Sequence, residues 1–239
     1  MYLPLIGAGV ALAIFGRRSV RHPHPVFPLE LARLHSYRIG ALGTGLFGAA
    51  FAGWLILAPT FLVEVWDYSV MRAGFAIAPA PIAMAITAGP AGNLAAKLGH
   101  RLVITVGSLI PVGAVVYWVL RVDETPQYLT TFLPGAILLG IGIGAGFPML
   151  TAASMRDVAP GRYAMGAAGN TTLRQVAMAL GISAAVAIVG TEAAGVSRFH
   201  ASWLVCGLLF ALTSALIAFT YPSKSIVPDT EELPKEKVA

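Results

Sequence analysis

The side chains that could do chemistry in this sequence are few, and most of them gather in one stretch. Asn170, Thr171, Arg174 and Gln175 lie inside a long apolar block that follows Pro160. On a helix their spacing puts Asn170, Thr171 and Arg174 on one face, with Gln175 beside them. The group offers hydrogen-bond donors, acceptors and one permanent cation, but no nucleophile with a base at hand. That is equipment for recognition rather than bond cleavage. Facing hydrocarbon it would be costly, so it must face other helices or a wet cavity, with Arg174 snorkelling or paired. Two roles are open: the lining of a solute path, or an interfacial gate or packing latch in which Asp157 partners Arg174.

The remaining reactive side chains exclude more than they offer. Glu64 and Asp67 close the first long apolar block, where a solvated loop is a simpler reading than a buried proton carrier. No block carries an acid at mid-depth. His22, His24, His35, His100 and His200 are scattered and form no metal set. The single cysteine, Cys206, allows neither an intrachain disulfide nor a thiolate metal site. Ser, His and acidic residues do not converge, so no enzyme and no cofactor are expected. Leu139–Leu150 reads LGIGIGAGFPML, but it lacks the strand and partner acid of a dinucleotide loop. Its pairs, Gly140 with Gly144 and Gly142 with Gly146, have the spacing by which membrane helices pack closely, and Pro148 can bend the helix. Trp66, Trp118 and Trp203 suit an interfacial belt, whereas Trp54 sits deeper and could face a cavity.

The elements that must hold these residues follow from composition. Apolar residues make up 57% of the chain and charged ones 11%, against about 25% charge in soluble domains. Six blocks reach the roughly 20 residues needed to cross about 30 Å of hydrocarbon. They are Ile39–Val63, Phe75–Ala95, Leu102–Leu120, Thr131–Ser154, Ala167–Gly190 and Ser202–Tyr221. They are neither short nor alternating, so they are helices rather than barrel strands. Tyr2–Phe15 is a shorter block, expected to be a truncated span. Arg17, Arg18 and Arg21 follow it rather than precede it, the reverse of a secretory signal. The expected organisation is a truncated span over 1–15, a basic cytoplasmic linker with an interfacial helix over 16–38, a six-span bundle over 39–221, and a disordered polar tail over 222–239. Pro79, Pro81 and Pro90 are expected bend points in the second block.

The basic residues orient the spans. One side takes Arg17, Arg18, Arg21, Arg33, Arg38, Lys97, Arg101, Arg156, Arg162, Lys224, Lys235 and Lys237, and the other only Arg72, Arg121 and Arg198. The positive-inside rule makes the first side cytoplasmic, the carboxy terminus included. It also explains the net charge of +5 without any nucleic-acid partner.

Three segments together resemble one family. They are FLVEVWDYSVMRAGFAIAPAP (Phe61–Pro81), AGNLAAKLGHR (Ala91–Arg101) and the long run from Leu133 to Ser183 that contains GAAGNTTLRQVAMALGIS. In order and spacing they resemble the second half of the fourteen-span drug/proton antiporters of the major facilitator superfamily, especially actinobacterial members. The resemblance implies an all-α membrane protein with a six-helix carboxy-terminal bundle of two inverted three-helix repeats, preceded by the end of an eighth span. It implies proton-coupled efflux of small amphipathic substrates through the plasma membrane, by rocking against an amino-terminal bundle. The partners would be the bilayer, substrate, protons and that missing bundle. Asn170, Thr171, Arg174, Gln175 and Trp54 would then line the path. Gly92–Arg101 is similar to the superfamily's glycine–basic loop, GxLADRxGRR. There Gly92 and Gly99 would allow a tight turn, while Lys97 and Arg101 pair with acids or helix carboxy ends as the transporter changes state. Ala96 stands where the family has Asp, which puts a carboxylate latch in doubt. A tight turn anchored by its positive charges is the plain alternative. For the whole chain, the alternative is a non-transporting truncated membrane protein or an assembly partner of another permease.

Overall fold

A computed structural model describes residues 31–190 and 195–221. The expectations for 1–15, most of the linker and the tail fall outside the described residues. All regular structure among the described residues is helical. A single 3₁₀ turn, Leu31–Arg33, leads into α1, His35–Glu64. Arg38 therefore already lies in the first span. The second span is divided into α2, Val70–Ile77, and α3, Pro79–Leu98. Next come α4, His100–Arg121, and a π-helical turn, Tyr128–Phe132, that runs into α5, Leu133–Met155. A 3₁₀ turn, Pro160–Arg162, opens α6, Tyr163–Val189, and α7 covers Val196–Thr220. Among the described residues six helical stretches are long and apolar enough to span a membrane.

The break in the second span has a local cause. Pro79 and Pro81 have no N–H to donate, so the carbonyls of Phe75 and Ile77 lose their regular partners. Phe75 O instead accepts from Ala78 N, a tighter turn at 3.3 Å.

Helices α1 and α5 form the middle of the bundle and touch each other. Behind them α4 and α7 pack together, α4 against α5 and α7 against α1. α3 lies on α5, and α6 lies on α1. Exchanging α1, α3 and α4 for α5, α6 and α7 leaves this pattern of neighbours unchanged. Successive spans alternate in direction, so the two three-helix units are mutually inverted, as the resemblance implies.

Small residues make the close contacts, and the glycine run of α5 serves two neighbours. A Cβ on Gly140 or Gly144 would meet the carbonyls of Ala80 and Met84 on α3. A Cβ on Gly142 would strike Pro111 of α4, and one on Gly107 of α4 would lie 2.8 Å from Gly146 N. The two small-residue pairs thus face different helices. In bilayers association rests on such packing, because lipid is as apolar as the helix surface. The opposite unit repeats the device, with Gly181 of α6 against the Ala49 backbone of α1.

The tryptophans do not form an interfacial belt. Trp66, Trp118 and Trp203 are buried within the bundle. Trp118 packs at 5.6 Å from Trp203 and 5.5 Å from Phe132, and donates to Phe132 O at 3.1 Å. Trp66 donates to Asp123 O at 2.9 Å. Helical packing turned these rings inward, where large aromatic surfaces fill the space between spans.

Candidate functional site

The expected polar stripe is divided by the fold. Asn170 is buried, and its amide donates to Ser154 Oγ of α5 at 3.1 Å. Gly40 makes this possible, since any Cβ there would lie 2.6 Å from Ser154 Cα. Three helices therefore meet at Asn170. Thr171 and Gln175 lie on the exposed side of α6, and Arg174 is half-buried between the two sets. Residues one apart on a helix are rotated by about 100°, which one face cannot hold once a neighbour packs closely.

Arg174 comes instead to an aromatic row. Its guanidinium carbon lies 5.6 Å from the ring centroid of Phe147 on α5. Phe147 packs against Phe51 of α1 at 6.1 Å and Phe47 at 5.5 Å, and Phe51 stacks on Trp54 at 6.4 Å. A cation over an aromatic face is worth about 0.5–1 kcal/mol at an exposed site and about 2 kcal/mol once desolvated. Among the described residues no carboxylate reaches Arg174, and Asp157 lies 3.8 Å from Arg156 Nε instead. The row follows the seam of α1 with α5 and α6. Beside Phe51 and Trp54 it opens on an apolar cavity of about 80 Å³ closed by Pro81, Met84 and Ile143. Trp54 therefore does line a cavity, though it is itself buried, and its indole N–H has no partner among the described residues. Phe51 and Phe147 were not anticipated from the sequence. The signal for the first was present in Phe47, Phe51 and Trp54, whose spacing puts them on one helix face.

At the end of the bundle where α3 meets α4, one glycine makes the turn. Gly99 adopts φ +87°, the left-handed region that suits glycine. Gly92 lies inside α3, against Met149, so the helix runs on through it to Leu98. Lys97 is exposed. Arg101 donates to Ala218 O in the last turn of α7. A cation on a helix carboxy end complements both the unpaired carbonyls and the dipole. Tyr221 donates to Ala153 O near the end of α5 at 3.0 Å, and Tyr37 to Gly166 O of α6 at 3.0 Å. Among the described residues this end holds Arg33, Arg38, Lys97, Arg101, Arg156 and Arg162 with one acid, Asp157. The opposite end holds Arg72, Arg121 and Arg198 with Glu64, Asp67, Asp123 and Glu124. Glu64 and Asp67 are exposed there.

Among the described residues no group of His, Cys, Asp and Glu could hold a metal ion. The geometry offers a cation at mid-span, an aromatic row and small apolar cavities between helices. These can recognise a solute, but they contain no activated nucleophile.

Several known proteins resemble the chain in sequence. The puromycin resistance protein of Streptomyces alboniger is 32% identical over 196 residues, covering 80% of this chain and 37% of its own length. A multidrug resistance protein B homolog of Mycobacterium tuberculosis is 24% identical, over 75% of this chain and 33% of its own length. A riboflavin transporter of Clostridioides difficile is 25% identical, over 74% and 38%. The chain thus spans about a third of the length of the curated relatives it matches. The family model described as Major Facilitator Superfamily matches residues 3–182. With six spans in two inverted units and that match over most of its length, the chain belongs to the Major Facilitator Superfamily.

Proposed function

We propose that the chain supplies one of the two bundles of an efflux permease for small amphipathic molecules. The permease works by proton-coupled alternating access in the plasma membrane, with the basic end of this bundle in the cytoplasm. The observation that carries the reading is the uneven cover of the spans. In their most apolar stretches, 61% of α1 and 56% of the fourth span are buried, against 17% of the second span and 11% of the fifth. Those two thinly covered spans flank the α1–α5 seam on which Phe51, Phe147 and Arg174 lie. A second bundle seated against them would enclose that seam as a cavity. The drug-resistance relatives support export as the direction, and the riboflavin transporter widens the class to flat aromatic solutes. With no described acid at mid-depth, the proton-binding carboxylate belongs to the partner bundle.

The reading is tested by expressing the chain alone and together with the amino-terminal bundle of a drug-resistance relative, then following proton-dependent dye movement in inverted vesicles. Transport is expected only with both parts. Arg174→Gln should lower it about tenfold, the effect of about 1.4 kcal/mol on the limiting step, with expression unchanged. Dye export by the chain alone would overturn the two-bundle reading, and full activity of Arg174→Gln would remove Arg174 from the path. The Asn170–Ser154 bond favours a latch rather than a lining role for Asn170.

A further inference from the structure

Helices α3 and α4 are consecutive, yet they part along most of their length, because α3 leans on α5 instead. The gap has two connected sections. At the basic end it is a cavity of about 640 Å³, bordered by His100, Arg101, Arg156 and Tyr221 with Leu98 and Leu102. Deeper in the span it becomes an apolar groove of about 370 Å³ lined by Leu94, Val106, Ile110 and Ile141. Leu98 and Leu102 border both sections, so the cleft is continuous. From Leu102 to Ile110 the groove runs along the helix axis for about 12 Å.

This shape distinguishes among ligands. The wide section lies where spans end and headgroups begin, and it carries two guanidinium groups from different elements. Its nearby carboxylate is Asp157, 3.8 Å from Arg156 Nε. Arg101 holds the end of α7, and a guanidinium with five N–H donors can serve a carbonyl and a phosphate oxygen together. Lys97 is exposed on the other side of the Gly99 turn from Arg101. The narrow section has apolar walls apart from Thr87, whose hydroxyl is taken up by Ala83 O, and it points into the hydrocarbon. A free anion would use the first section and leave the second empty, and a neutral apolar molecule would do the reverse. An amphiphile with an anionic head and a long chain uses both.

We propose that this cleft is a site for an anionic phospholipid, with its phosphate on Arg101 and Arg156 and one acyl chain along Leu98, Leu102 and Val106. The site is separate from the α1–α5 seam and does not depend on the transport reading. Such a lipid would fill the space between α3 and α4 and tie their junction to the end of α7.

The test is native mass spectrometry of the full 239-residue chain in mild detergent. The chain is titrated with phosphatidylglycerol, with phosphatidylcholine of the same chains, and with inorganic phosphate. Phosphatidylglycerol should be retained about tenfold better than phosphatidylcholine, as expected for charge-assisted bonds. The double variant Arg101→Gln/Arg156→Gln should abolish that preference. Val106→Trp, at an exposed position, should weaken phosphatidylglycerol binding with both arginines intact. Millimolar inorganic phosphate should not displace the lipid. Equal retention of the two lipids, or displacement by phosphate, would overturn the proposal. If the double variant does not give a monodisperse chain, Val106→Trp decides alone, and unchanged lipid retention there overturns it. Protection of the cleft by an added amino-terminal bundle instead of lipid would also overturn it.

Discussion

The amide of Asn170 meets the hydroxyl of Ser154 at 3.1 Å, with both side chains buried between helices. Hydrogen bonds between membrane helices average only about 0.6 kcal/mol, with a ceiling near 1.7, because the separated helices find other partners. Asn170→Ala and Ser154→Ala should each lower thermal stability in detergent by about 1 kcal/mol. Their double variant should cost less than the sum, and strict additivity would mean that the bond contributes nothing. Glycines give a sharper contrast. Gly144 has the Met84 backbone of α3 where a side chain would go, whereas Gly113 on α4 has nothing within 4 Å. Gly144→Val should destabilise by about 1–3 kcal/mol through overpacking. Gly113→Ala should be neutral or stabilise by up to about 1 kcal/mol through helix propensity. Parallel unfolding curves of the two variants check this, and equal effects would contradict the packing.

Among the elements, the second span differs most from a plain rod. Its apolar block reads as one helix, but Pro79 and Pro81 divide it at Ala78. Replacing both prolines by alanine restores two backbone donors and removes the ring clashes that bend the chain. Spin labels at Val70→Cys and Leu98→Cys, with the buried Cys206 changed to serine, would report the result. The expected outcome is a longer and narrower distance distribution in the alanine variant, since a straightened helix is longer end to end. An unchanged distribution would mean that α5 packing, not proline, sets the bend. The fourth span shows the complementary effect. Pro148 lies within α5, yet α5 continues unbroken to Met155, held by α1, α3 and α4 along its sides.

For the whole molecule, the two ends differ in charge, and that difference should set its orientation. The end with Lys97, Arg101, Arg156 and Arg162 is expected in the cytoplasm by the positive-inside rule. Lys97→Cys and Asp123→Cys place single exposed thiols at opposite ends. In whole cells a membrane-impermeant maleimide should label the Asp123 position and reach the Lys97 position only after permeabilisation. The reverse pattern would invert the bundle and, with it, the proposed direction of transport. The exposed Phe75, Ile86, Leu180 and Phe219 belong to the same scale. Such surfaces would aggregate in water, and they are stable only against lipid or a second bundle.

Much of this architecture was legible in the chain itself. Block length, low charge and the distribution of Lys and Arg determine six helices, their order and their alternation, because a bilayer permits so few ways to satisfy a backbone. The packing role of Gly140 to Gly146 was also readable, since only small residues let helices touch. What the sequence left open was direction around each helix axis. Spans that are apolar on every side give no stripe to mark the face that packs, so Trp118 and Trp203 could be read as a belt when they are core. The same uncertainty joined Thr171 and Gln175 to Asn170 and Arg174, when contact with Ser154 and Phe147 holds Asn170 and Arg174 on the seam and leaves Thr171 and Gln175 exposed. Only tertiary packing decides that rotation, because in lipid it depends on which small residues and rings interlock rather than on which side is apolar.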